Sequence, residues 1–421
     1  MTKKKWRMIL ATSMLLVGIA GCKGNESTGS SDSSKTEIRF INGFTGGDGA
    51  YMTKIVDGFN KSQEKYKVIQ SQEKDYYTKF KSSQYDLVVI HESNLDTYVK
   101  DNMIQPVTTY MDKADLKESD FHKAGIDSTT VNGKMYGVPL DIHPLTMFYN
   151  KEYVKSEPKT YDDLKRSNAE VQSINKNLYT LGLPSTGLVE FYMTTIAAQN
   201  NINLVKDNYL NFAQEPFADA LMTYHNMVFE DKMSPPKLGL DAEFQTFMKS
   251  ANNDTKQSVV SLTGPWYFQA LKEKFGDQLG IGTIPQLGEK IATTGNAHTL
   301  AIPTNVKDEK VKAGIEQFLK YMYTPEHLAN WAEAGQTPTH LATLNFIQEN
   351  PNKYELASKN LSQLDHYVSM PHVYLYSEQM RYMSEVVFSK LVGDKDFTKD
   401  KLMTELETAT KKAKSAAATS K

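Results

Sequence analysis

Charged and bulky residues alternate over 37–42 (EIRFIN), the two-residue period of a strand. The next apolar positions, Met52, Ile55, Val56 and Phe59, fall at helical spacing within 50–60. Between the two lies a glycine-rich turn, 43–49, with Asp48 placed to cap the helix. The pattern then repeats: a strand at 66–70, a short helix at 76–82, and a largely apolar strand at 85–90 (YDLVVI). Such a run suits a parallel strand covered on both faces. This β-α-β-α-β order predicts an open α/β sheet, and in such sheets ligands bind beyond the carboxyl ends of strands. The 43–48 turn and the 91–94 turn both lie there.

Asn132-Gly133 is a hairpin signal, with strand-like residues on both sides. The following segment, 139–149, carries Pro139 and Pro144 and is biased away from helix. It reads as a first crossing between two lobes. The second half is more helical. Thr160 is placed to cap a helix from Tyr161, and 190–199 and 216–230 have helical patterns. Strands are expected at 259–262, 280–284 and 299–303, a second crossing at 293–298, and helices at 311–323 and from Pro325. Helices dominate thereafter, and the lysine-rich end, 411–421, is expected to fray.

The amino terminus adds a location. Lys3, Lys4, Lys5 and Arg7 precede an apolar stretch, 8–20, and then Gly21-Cys22. A basic head and a short apolar middle make a secretory signal, since a membrane span needs roughly 20 apolar residues. Cys22 is the only cysteine of the 421 residues, so neither a disulfide nor a thiolate-rich metal site is available. The segment 19–22 (IAGC) resembles the lipobox of bacterial lipoproteins, which implies cleavage before Cys22 and a diacylglycerol on its thiol. The Ser- and Gly-rich stretch that follows, within 22–36, reads as a flexible tether.

Without 1–21 the chain carries 44 basic and 50 acidic residues. Nothing in that balance marks a nucleic-acid partner or a polybasic membrane patch. The 400 residues that remain exceed what one hydrophobic core usually supports, so two lobes are expected. Catalytic signatures are few: no G-x-S-x-G elbow occurs, and no thiol remains once Cys22 is lipidated. A carboxylate pair of the glycosidase kind is a three-dimensional property that sequence leaves open.

Several segments together resemble the family 1 extracellular solute-binding proteins of ABC transporters, the family that includes maltose-binding protein. They are the strand at 85–90, GKMYGVP (133–139), FYNKE (148–152), TYDDL (160–164), TGPW (263–266) and the helix leading to TPE (324–326). They fall in the family's order over nearly all of 37–335. The resemblance implies a type II periplasmic-binding-protein-like fold, two open α/β lobes around a ligand cleft, with no catalysis and no cofactor. Lobe 1 is expected at 37–142 plus 297–340, and lobe 2 at 143–296 plus 341–415. The implied protein is a monomeric receptor tied by Cys22 to the outer face of a cell membrane, most in keeping with a Gram-positive surface. It would hand a sugar or oligosaccharide to permease subunits.

A sugar wants an aromatic plate for its C–H face and amides or carboxylates for its hydroxyls. In the family the tryptophan of TGPW stacks on sugar, which nominates Trp266. Trp331 is a second candidate, although Leu328 and Ala332 beside it suit a packed helix face. Tyr374 and Tyr376 lie where relatives bring cleft aromatics, and Glu190-Phe191 resembles a cleft-facing helix start. From the turns come Phe44, Thr45, Asp48 and Glu92, and from the crossings Asp141, His143 and His298. The amides of the 43–48 turn could hold an anion, but Asp48 would itself occupy that positive end. A metal reading would draw on His91, Glu92, Asp141, His143 and His298; no H-E-x-x-H spacing supports it and nothing in the sequence fixes their distances. A non-sugar solute, whether peptide, polyamine, phosphate ester or metal, is the alternative ligand, and a surface glycosidase the alternative class.

Overall fold

The computed structural model describes residues 35–82, 84–250 and 255–419. The expected signal sequence, Cys22 and nearly all of the expected tether lie outside the described residues. Among the described residues no helix is long and apolar enough to cross a membrane.

Alternation along the first strands builds a sheet buried on both sides. In Thr36–Asn42, Ile38 and Phe40 point to one apolar cluster and Ile41 to another. Leu87–His91 divides in the same way, with Leu87 and Val89 on one face and Val88 and Ile90 on the other. Burying each of these side chains contributes roughly 1.5–3 kcal/mol. Thr36–Asn42 pairs in parallel with Tyr66–Gln72 and with Leu87–His91. Ala297–Pro303 then lies antiparallel between Leu87–His91 and Val138–Ile142, with Thr337–Pro338 at the edge beyond. The sheet is therefore mixed; the apolar run at 85–90 is covered on both faces but has only one parallel neighbour.

A second, three-stranded antiparallel sheet has Thr146–Asn150 at its centre, between Val260–Thr263 and Leu279–Gly282. Its middle strand follows Val138–Ile142 of the large sheet after only three residues, 143–145, so the chain crosses where the two prolines place it. The return runs through 293–296 into Ala297–Pro303. The two crossings touch backbone to backbone: the His143 and Leu145 amides donate to the Asn296 and Thr294 carbonyls at 2.9 and 3.1 Å. Gly295 permits the approach, since a Cβ there would stand 2.3 Å from the His143 carbonyl oxygen.

Each sheet has its own apolar core. Trp331, Phe318 and Phe59 belong to that of the large sheet, and Tyr192, Tyr224, Phe217 and Phe388 to that on the second. The helices after residue 340 divide between them. Leu341–Glu349 packs on Pro325–Glu333, while Lys399–Ala418 contributes Leu402, Leu406 and Ala409 to the second core.

Local signals held where chemistry is local. Asn132 and Gly133 take φ of 50° and 74°, the left-handed pair a tight hairpin requires. Thr160 caps Tyr161–Ile174, accepting from the Asp163 amide, while the Asp163 carboxylate accepts from the Thr160 amide. Asp48 stands at the expected position before Gly49–Ser62 but makes no side-chain cap bond. Its carboxylate turns instead toward Gln336, at 3.5 Å.

Candidate functional site

A cavity of about 400 Å³ opens at the strand ends, lined from both sheets and both crossings. This lies within the roughly 300–1,000 Å³ range of small-molecule sites. One wall carries Phe44, Asp48, Tyr76, His91, Ser93, Asn94 and Gln336, and the other Leu188, Glu190, Phe191, Trp266 and Ser377. His143, Asn296 and His298 come from the crossings and their strand ends. Among the described residues the lining includes no Lys or Arg.

Register explains the floor. In the large sheet His298 stands opposite His91 on one side and Asp141 on the other. Directly opposed residues share a face. The imidazole centroids of His143 and His298 lie 4.3 Å apart, and those of His91 and His298 4.6 Å. Beneath them Asp141 is buried and accepts from His143 Nδ1 at 3.1 Å, His298 Nδ1 at 3.0 Å and Trp331 Nε1 at 2.6 Å. Burial alone would raise the Asp141 pKa, but His298 and His143 outweigh it and hold the carboxyl well below its usual range. Burial, then the neighbouring His298, pushes His143 down to about 4 and His91 well below its ordinary value. Glu190 is raised to about 7 by burial. Asp48 is likewise raised, by burial first.

Trp266 sits on a short 3₁₀ turn, Pro265–Tyr267, at the end of Val260–Thr263, and is half-buried at the cavity wall. Its ring lies over Gly264: a Cβ there would meet Trp266 ring carbons at 2.0 Å. The ring centroid is 6.2 Å from that of His143. An aromatic face thus borders the polar floor.

Of the ligand contacts expected from sequence, Phe44, Asp48, His143, Glu190, Phe191, Trp266 and His298 line this one cavity. The others are placed elsewhere. Thr45 is exposed on the turn, outside the lining. Trp331 is fully buried against Phe44, with its indole N–H spent on Asp141. Asp141 is itself a buried support rather than a lining residue. Glu92 turns away from the cavity and accepts from Tyr367 Oη and the Met370 amide, both at 2.9 Å. It fastens the late segment 366–376 to the helix Glu92–Lys100, helped by His372, whose Nδ1 is 2.9 Å from Asp96. Tyr374 donates to Asp101 on the outside, and Tyr376 is fully buried beside Glu190. Tyr76, His91, Ser93, Asn94, Leu188, Asn296, Gln336 and Ser377 line the cavity without having been proposed as ligand contacts. His91 and Asn94 lay on a turn already singled out, and Asn296 on a crossing. A second cavity of about 470 Å³ lies beside the helix Val189–Gln199, with Asn201, Asn203, Lys290 and His372 among its lining and no Trp, Tyr or Phe.

The bacterial extracellular solute-binding protein family model matches residues 54–353, well over half of the chain. The chain belongs to that family. Its members bind solutes rather than transform them. A maltooligosaccharide ABC transporter solute-binding lipoprotein of Streptococcus pneumoniae R6 is 23% identical over 285 residues, 64% of this chain and 63% of its own. The match thus spans less than two thirds of that relative's length. A multiple sugar-binding protein of Streptococcus mutans is 24% identical over 80% of this chain and 82% of its own. Among solved structures, the sugar-binding protein MalE of Xanthomonas citri superposes with a TM-score of 0.73 at 19% identity, covering 89% of this chain and 96% of that one. The UgpB protein of Mycobacterium tuberculosis, in complex with glycerophosphocholine, gives 0.76 at 15% identity, covering 91% and 98%. These likenesses establish the α/β, two-domain periplasmic-binding-protein fold.

Proposed function

We propose that the protein is the lipid-anchored receptor of an ABC importer, and that it captures a neutral, hydroxyl-rich solute, a sugar or short oligosaccharide, in the cavity beside Trp266. The observation that carries this reading is the pairing of that half-buried indole with a floor of amides, imidazoles and carboxyls and no Lys or Arg in the described lining. A sugar ring stacks its C–H face on the indole, while Asn94, Asn296, Glu190 and Asp48 supply donors and acceptors to its hydroxyls. The names of the S. pneumoniae and S. mutans relatives support the same class. A phosphate ester, the ligand class named for the Yersinia pestis relative, would want cationic partners, which this lining does not offer.

In this reading the two lobes, one around each sheet, close by hinge motion at the crossings. The diacylglycerol on Cys22 holds the receptor at the outer face of a membrane, in keeping with a Gram-positive surface, and the loaded form docks on permease subunits. The test is calorimetric titration with maltooligosaccharides and other sugars, preceded by a thermal-shift screen in which a ligand at 100 times its Kd adds about 2.7 kcal/mol. Trp266→Ala is expected to weaken binding roughly tenfold or more, about 1.4 kcal/mol, with the fold intact. Unchanged affinity would refute the stacking role, and a shift by phosphate esters but by no sugar would refute the ligand class.

A further inference from the structure

We propose that His91, His143 and His298 form a site for one divalent first-row transition cation, zinc or a close neighbour, at the floor of the cavity. One ring nitrogen from each lies within 4.8 Å of the other two. The hydrogen bonds identify which nitrogen. The ionised Asp141 carboxylate can only accept, so His143 and His298, bonded to it through Nδ1, carry their protons there. Each is left with a free lone pair on Nε2. His91 is engaged at Nδ1 as well, 3.0 and 2.9 Å from the Tyr76 and Tyr77 hydroxyls, which leaves Nε2 as its ring nitrogen outside that contact. Three imidazoles thus present the same atom, each anchored from behind.

An oxygen acceptor behind the far ring nitrogen is the arrangement that orients metal-bound histidine and raises its basicity. Three imidazoles with an open side suit zinc, copper, nickel or iron, and poorly suit calcium or magnesium. A zinc–nitrogen bond of about 2.0–2.1 Å sets the three nitrogens about 3.4 Å apart, so separations of up to 4.8 Å close by as much as about 1.4 Å on binding. The open side faces the cavity, where a solute hydroxyl or carboxylate could complete the coordination. Asp48 and Glu190 line the same cavity. This inference goes beyond the sugar reading, and a cation on the floor would give the cavity a positive partner that its side chains alone do not offer.

The test is calorimetric titration of the chelator-treated protein with Zn²⁺, and with Mg²⁺ as a comparison. One equivalent of Zn²⁺ should bind, and Mg²⁺ should not. His143→Ala and His298→Ala should abolish binding. Asp141→Asn should weaken it about 10–100-fold while removing no ligand atom. Circular dichroism confirms the fold of each variant, and His91→Gln, which keeps a polar side chain of similar size, serves if an alanine variant fails to fold. Zinc binding that is absent in the parent, or unchanged in folded His143, His298 and His91 variants, would overturn the proposal. Sugar affinity is measured in parallel with chelator present: sugar binding without any zinc binding sinks the metal site and leaves the sugar reading standing.

Discussion

Replacing Asp141 by Asn removes one charge and no volume, and its cost can be worked from the structure. The carboxylate receives three donors, His143 Nδ1, His298 Nδ1 and Trp331 Nε1, at 3.1, 3.0 and 2.6 Å. Hydrogen bonds to a charged group contribute about 1.5–3 kcal/mol each. An amide keeps one oxygen, which can serve two of the donors. The third donor then faces an NH₂ group, and both are buried without an acceptor at about 1–3 kcal/mol apiece. Relief from burying a charge offsets part of this. The expected net loss is about 3 kcal/mol, and Trp331→Phe, which deletes one donor and three buried ring atoms, should cost about as much. Urea unfolding followed by far-ultraviolet circular dichroism measures both, since changing Trp331 alters fluorescence. In a double-mutant cycle the two should couple by more than about 0.5 kcal/mol, the limit for independent sites. An Asn variant within about 0.5 kcal/mol of the parent, or additive losses, would refute the claim that one carboxylate organises the floor.

Three further outcomes are expected. His372 is pulled down by burial, but Asp96 and Glu92 outweigh that and raise it to about 10; its stabilisation is full below pH 6.5 and lost as pH rises toward 10. The loss is at most about 5 kcal/mol, and His372→Gln should flatten the Tm–pH curve over that window. Gly295→Ala should cost about 1–3 kcal/mol in urea unfolding, because the atom it meets is the His143 backbone, which cannot swing aside; a neutral result would mean the crossings are loosely joined. Gly264→Ala should displace the Trp266 ring and lower ligand affinity in titration while leaving Tm within a few degrees; full affinity would show that the ring's seat over Gly264 is dispensable.

What sequence revealed here depended on how local the determinant was. The hairpin at Asn132-Gly133, the capping box at Thr160 and the crossing around Pro144 each need only a few neighbouring residues, and each formed where expected. The distinction between Trp266 and Trp331 is not local. Trp266 is held out by a glycine and a 3₁₀ turn within its own motif, whereas Trp331 is drawn inward by Asp141, 190 residues away. Glu92 was correctly placed at a strand end, yet its direction is set by Tyr367 and Met370, 275 and 278 residues later. The three histidines come together only through strand register, which puts His298 opposite both His91 and Asp141. No spacing motif encodes that, because 91, 143 and 298 belong to separate excursions of the chain.

The strand Ala297–Pro303 occupies a central place in the large sheet but is made late. As the polypeptide leaves the ribosome, Leu87–His91 and Val138–Ile142 emerge some 210 and 160 residues before the piece that must slip between them. At about 5–20 residues per second that is on the order of ten seconds or more of synthesis with two strand edges left open. No early fragment can complete this half on its own. The large sheet therefore closes only after most of the chain has been made.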